Sequence, residues 1–204
     1  NIESTAAKPD YVFYYDVTRP TQTITKPTQN EVVTSLATIS VNAGDPPPAA
    51  NRVASGINQV QIKIVATDLY SDTTYWNGVD GWTPTETWLP TEASGNNWIY
   101  ATGQPAGYAM PDFVDDKLYK VIARAKDNCG NWSIVYSTNG FKRDQTAPQQ
   151  SSILKPSADN SYFNQLTTLS GQSQDTNNTS KITRVNLTIQ DLTLGSTYWQ
   201  GSNN

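Results

Sequence analysis

The chain has 204 residues, with Lys+Arg 14 against Asp+Glu 18, a formal charge of -4, no His, one Cys and an isoelectric point near 4.7. The missing His excludes Ser-His-Asp and Cys-His nucleophile pairs and imidazole-bound zinc, and a single Cys excludes an internal disulfide or a thiolate cluster. An acidic chain without a basic run lacks the electrostatic footprint of a nucleic-acid or anionic-lipid binder, and no apolar run approaches the roughly 18–20 residues of a membrane span. In chain order, the first predicted element is a short strand ending at Phe13-Tyr14-Tyr15-Asp16, which feeds the joint Asp16-Val17-Thr18-Arg19-Pro20. Pro20 fixes φ at about −65° and lacks an amide hydrogen, so this joint swings less than a Gly/Ser linker. Ala37, Ile39 and Val41 alternate with polar residues and predict a strand that runs out at Asp45 and the Pro46-Pro47-Pro48 loop. Val60, Ile62 and Ile64 alternate with Gln59, Gln61 and Lys63, the period of a strand with one wet face. Tyr75-Trp76-Asn77-Gly78 opens a Trp-rich stretch reaching Tyr100, with turn signals at Asn77-Gly78 and Ser94-Gly95-Asn96-Asn97; it is expected to add hairpin strands. Tyr119, Val121, Ala123 and Ala125 then alternate with Lys120, Ile122, Arg124 and Lys126, a strand that enters the turn Asp127-Asn128-Cys129-Gly130-Asn131. Asn139-Gly140 reads as a further turn, before Phe141-Lys142-Arg143-Asp144.

From here the chain repeats itself. Asp16-Val17-Thr18-Arg19-Pro20 returns as Asp144-Gln145-Thr146-Ala147-Pro148, an offset of 128, and Lys26-Pro27 returns as Lys155-Pro156. Ile39-Ser40 leading to Asp45 returns as Leu169-Ser170 leading to Asp175, an offset of 130. The strand from Ile57 to Ile64 returns from Ile182 to Ile189, and Tyr75-Trp76-Asn77-Gly78 returns as Tyr198-Trp199-Gln200-Gly201. The drift in offset falls between strands, where length changes are tolerated. Phe141-Lys142-Arg143-Asp144 echoes Phe13-Tyr14-Tyr15-Asp16 and sets the frame. Residues 1–16 are expected to close a preceding repeat, 17–144 to form a whole unit, and 145–204 to form the front half of a third that stops after its Tyr-Trp signal. Short strands, frequent turns and no helical periodicity make the expected fold an all-β antiparallel sandwich.

The run Asp115-Asp116-Lys117-Leu118-Tyr119-Lys120-Val121-Ile122-Ala123-Arg124-Ala125-Lys126-Asp127-Asn128-Cys129-Gly130-Asn131 resembles the penultimate strand and turn of bacterial immunoglobulin-like repeats. Ser55-Gly56-Ile57 and the Asp-x-Thr-x-Pro joint resemble the same family. The resemblance implies immunoglobulin-like sandwiches in tandem. It implies that Tyr119 forms a tyrosine corner, its hydroxyl bonding to upstream backbone, and that Gly130 serves the turn. The inter-sheet disulfide of antibody domains is missing, and Val121 and Ile39 are expected to fill its place.

Candidate sites follow from topology and residue type. Successive strands run up and down, so Asp16 in the joint, Asp45 after one strand and Asp127 after another are expected near one pole, with the Asn131 carbonyl close by. Either each aspartate binds the backbone of its own turn, or the group holds a calcium ion, which takes six to eight oxygens. Trp76 and Trp199 occur in both copies, which suits a framework role; Trp82 and Trp88 have no second copy and are candidate glycan contacts. Glu86, Glu92, Asp112, Asp115 and Asp116 supply carboxylates, but nothing marks a desolvated acid–base pair. Cys129 lies in a turn beside Asp and Asn, without the positive charge that activates a thiolate. Thr, Ser and Asn supply 61 residues, a polar and nearly Cys-free composition associated with bacterial surface proteins.

The expected function is a non-catalytic extracellular or cell-surface spacer, an adhesin-type stalk, with no cofactor other than calcium. Its partners would be neighbouring repeats and a glycan or host-cell ligand, with no nucleic acid and no membrane insertion. Two alternatives stand beside it: a carbohydrate-binding module using the Trp-rich hairpin, and an accessory region of a larger secreted hydrolase.

Overall fold

The computed structural model describes residues 13, 15–47, 52–67, 73–148, 150–175, 182–193 and 197–200. The chain divides into two compact units, Asn1–Arg143 and Asp144–Asn204. Among the described residues the protein is all-β, and no helix is long and apolar enough to cross a membrane.

The first unit holds β1 (Thr21–Lys26), β2 (Glu31–Val33), β3 (Thr38–Gly44), β4 (Ile57–Ala66), β5 (Thr74–Trp76), β6 (Trp82–Thr83), β7 (Leu89–Pro90), β8 (Glu92–Ser94), β9 (Asn97–Ala101), β10 (Leu118–Asp127) and β11 (Ser137–Arg143). One sheet runs β1-β3-β9-β8; the other runs β2-β11-β10-β4-β5-β6, with β7 also on β4. The pairings are antiparallel except at the edge, where β2 runs parallel to β11, so the expected wholly antiparallel sheet gains one parallel strand. The period of two in β4 and β10 decides which residues turn inward. Val60, Ile62 and Ile64 are buried, and their partners across the ladder are Ala125, Ala123 and Val121, also buried. Each such branched side chain contributes roughly 1.5–3 kcal/mol when removed from water. Ile24, Ile39, Val41 and Tyr100 from the other sheet join them in one core, the arrangement of a β-sandwich.

The Trp-rich stretch supplies the short strands β5 to β9. The Asn77-Gly78 and Ser94-Gly95 turns fall where expected, with Gly78 at φ 94. An added Cβ at Gly78 would meet Leu89 and Tyr108 at 2.8 Å, so both conformation and space require glycine there. The expected turn at Asn139-Gly140 is not one: both residues lie inside β11, opposite Val121 and Lys120. Asn139 faces the end of β1 and the residue after it, where its Nδ2 donates to the Ile24 and Pro27 carbonyls. A residue pair common in turns here serves a strand, because β10 pairs with it along the ladder.

The second unit holds β12 (Gln150–Lys155), β13 (Ser170–Gln174), β14 (Gln190–Asp191) and β15 (Thr197–Tyr198). β12 and β13 pair antiparallel with Ile153 opposite Gly171 and Lys155 opposite Ser170, as Ile24 stands opposite Val41 and Lys26 opposite Ser40 in β1 and β3. Both ladders shift register at the same place, between Ile24 and Lys26 and between Ile153 and Lys155. The stretch matching β4 departs from expectation, since residues 182–189 form no strand. Val185 and Leu187 are 65% and 57% exposed, whereas Val60 and Ile62 are 1% and 0%. The physical difference is the partner. β4 is flanked by β10 on one side and β5 and β7 on the other, while no strand flanks 182–189 among the described residues. The strand expected within 1–16 lies outside the described residues, apart from Phe13, Tyr15 and Asp16, none of which is in a strand.

Candidate metal centre

Three elements end at one pole of the first unit and bring a carboxylate each: the joint before β1 (Asp16), the end of β3 (Asp45) and the end of β10 (Asp127). One oxygen of each lies within 4.8 Å of the others. Asp16 and Asp127 are buried and Asp45 is half-buried. Thr18 N–H donates to Asp16 Oδ1 at 2.8 Å, and Ser55 N–H donates to Oδ2 at 3.0 Å. Those two donors hold the Asp16 carboxyl below its ordinary range. Asp127 Oδ1 accepts from Asn131 N–H at 2.7 Å, and Oδ2 from Asn131 Nδ2 at 2.8 Å. Asp45 Oδ2 accepts from Ser55 Oγ and Gly56 N–H. Its Oδ1 is buried and accepts nothing.

Each aspartate therefore binds backbone, and the three also converge. Among the described residues no Lys or Arg forms an ion pair with any of them; the ion pairs are Lys63–Glu86 and Lys142–Asp116. Calcium binds oxygens at about 2.3–2.6 Å, so two oxygens on one ion lie no more than about 5 Å apart, a condition this group meets. The residues fit a hard divalent cation held by Asp16, Asp45 and Asp127. Asn131 also fastens the joint. Its carbonyl accepts from Asp127 N–H, and its Nδ2 reaches the Asp16 and Thr18 carbonyls at 3.1 and 3.4 Å, clasping the joint to the turn. Arg19 adds a second clasp, donating to the Trp132 carbonyl at 2.9 Å. Gly130 holds the turn at φ 94, with Cys129 exposed beside it. In the second unit Asp144 and Asp175, the counterparts of Asp16 and Asp45, are buried, and Thr146 N–H donates to Asp144 Oδ1 at 3.0 Å.

The aromatic candidates part company. Trp76 is buried, its Nε1 donating to the Ala109 carbonyl at 2.7 Å. Its counterpart Trp199 is 67% exposed. Trp82 stacks on Tyr119 at 5.6 Å and meets Trp76 edge-on at 5.7 Å. Trp88 lies against Arg124, whose guanidinium is 4.0 Å from its ring and 4.3 Å from that of Trp132. Lys63 Nζ stands 4.8 Å from the Trp88 ring. Two cations on one indole make Trp88 part of a ladder on the sheet face, where each contact contributes about 0.5–2 kcal/mol. The Tyr119 hydroxyl accepts from Val114 N–H, five residues upstream, at 2.8 Å, and its ring packs among Phe113, Phe141 and Trp82.

The remaining carboxylates are scattered over other elements. Glu86 pairs with Lys63 at 3.1 Å, which holds its carboxyl low; Glu92 is exposed on β8; Asp115 and Asp116 occupy the turn before β10; Asp112 lines a groove beside Trp82. Sequence reasoning missed Ser55, whose N–H and Oγ join Asp16 to Asp45, although Ser55-Gly56-Ile57 stood out as a motif. It also missed Arg124, for which only the cation-rich wet face of β10 offered a signal. Neither the family models, nor the curated proteins, nor the solved structures compared with this chain match it. The geometry itself defines an all-β protein of sandwich type with an oxygen-donor cluster where the chain enters the first unit.

Proposed function

We propose that this chain is a spacer: a non-catalytic, extracellular segment of immunoglobulin-like modules in tandem that holds another domain away from a bacterial surface. The observation that carries this reading is the fastened joint. Incoming backbone is bound through the Asp16 carboxylate to Ser55, through its carbonyl to Asn131, and through Arg19 to Trp132. A chain tied at three points on entry transmits direction from one module to the next. A divalent cation, calcium by its oxygen-only donor set, would neutralise the three carboxylates and lock the same joint. The partners in this reading are the neighbouring modules.

The test is solution scattering from one, two and three modules. They are joined as residues 13–144 followed directly by further copies of 17–144, so that Asp144 takes the place of Asp16. Ten-residue strands rise about 3.3 Å per residue, so the maximum dimension should grow by roughly 3 nm or more with each module. Growth only with the cube root of mass would mean a compact cluster and would rule out a spacer.

A further inference from the structure

Apart from the joint, the first unit carries a second feature that the spacer reading does not use. A groove of about 490 Å3 opens where β5 and β6 meet the segment after β9, lined by Trp76, Asp80, Trp82, Thr102, Met110 and Asp112 among others. Its volume lies within the usual range for small-molecule sites, about 300–1,000 Å3.

The walls are fixed before any ligand arrives. Asn77 Oδ1 accepts the N–H groups of Val79, Asp80 and Gly81, and its Nδ2 donates to Asp80 Oδ1 at 3.0 Å, which aims that carboxylate. The opposite wall is tied to the same turn by Ala109 N–H donating to the Gly78 carbonyl at 2.8 Å. The Ala109 carbonyl in turn accepts from Trp76 Nε1 and Tyr100 Oη, both at 2.7 Å. Trp82 is held by its stack on Tyr119 and its edge contact with Trp76.

The chemistry of the lining selects a ligand class. It offers a partly exposed indole, two exposed carboxylates and a threonine hydroxyl, with no lysine or arginine. Two unpaired carboxylates repel anions. A sugar ring presents an apolar C–H face that suits an indole, and adjacent hydroxyls that donate charge-assisted bonds to a carboxylate. Trp88, the other candidate glycan contact, is taken up by Arg124 and Lys63. We infer that this groove binds a neutral oligosaccharide segment, with one pyranose ring on Trp82 and its hydroxyls donating to Asp80 and Asp112.

The test is a titration of the intact chain with cellohexaose, chitohexaose, maltohexaose and laminarihexaose, followed by tryptophan fluorescence and by calorimetry, with tetramethylammonium chloride as the cationic control. At least one hexasaccharide should saturate. Because Trp82 also packs against the core, the deciding variants are the exposed Asp80→Asn and Asp112→Asn. Each should weaken binding about tenfold or more, the loss of one charge-assisted hydrogen bond, with the melting temperature unchanged. Trp88→Phe should leave the affinity as it is. Three results would each overturn the assignment: no saturation by any hexasaccharide up to about 10 mM, affinity indifferent to both aspartate changes, or saturation by tetramethylammonium in place of the sugars.

Discussion

Asp45 differs from the other two aspartates at the pole. Every oxygen of Asp16 and Asp127 accepts a hydrogen bond, whereas Asp45 Oδ1 is buried and accepts none. A buried acceptor without a partner costs about 1–3 kcal/mol, which a bound cation would recover. Calcium at millimolar concentration should therefore raise the melting temperature, by about 2–4 °C for each kcal/mol of binding in a chain of this size. Asp45→Asn should abolish the rise; a rise of equal size in that variant, or none in the native chain, would contradict the cation. Tyr100 offers a separate test at high pH. Burial pushes its phenol up to about 12, while its hydroxyl donates to the Ala109 carbonyl. In the unfolded chain it ionises at about 10. A raised folded value means that its contribution is fully present below pH about 10 and is lost as pH rises toward about 12. Unfolding free energy measured by urea titration across that interval should fall more steeply in the native chain than in Tyr100→Phe; parallel curves would show that Tyr100 does not titrate in this way.

At the scale of elements, β4 and residues 182–189 carry matching sequence patterns and meet different fates. Ile62→Ala should cost about 2–5 kcal/mol, since Ile62 is fully buried against Ala123. Leu187→Ala should cost less than about 0.5 kcal/mol, as a surface change does. Hydrogen exchange followed by mass spectrometry should show slow amides in β4 and fast ones over 182–189; equal protection would contradict the difference. These cases show what was legible in the sequence. The alternation of Val60, Ile62 and Ile64 is local and identified a strand wherever a partner covers it. Whether Val185 and Leu187 are covered depends on a distant strand, which periodicity does not reveal. The parallel pairing of β2 with β11 and the strand role of Asn139-Gly140 likewise depend on neighbours far along the chain. The cluster of Asp16, Asp45 and Asp127 was legible because up-and-down strands fix which ends share a pole. The covering of Trp88 by Arg124 was not, since it depends on which residues of β4, β10 and the hairpin face one another.

At the scale of the whole molecule, the proposed spacer depends on how firmly one module directs the next. Each link is modest alone: three hydrogen-bonded fastenings on Asp16 and Arg19, with Pro20 restricting the backbone behind them. In that proposal they would together act as a hinge with little freedom in place of a linker. The most direct measurement is the distance distribution between two spin labels placed on either side of that hinge. The protein is residues 13–144 followed by 17–144, with Cys129→Ser and a label on Glu92→Cys in each module. A directed spacer gives a narrow distribution centred several nanometres out, about 3–5 nm for modules of ten-residue strands. It should broaden when Asn131→Ala and Arg19→Ala release the joint in the second module. A native distribution already as broad as that of the released variant would contradict a directed spacer.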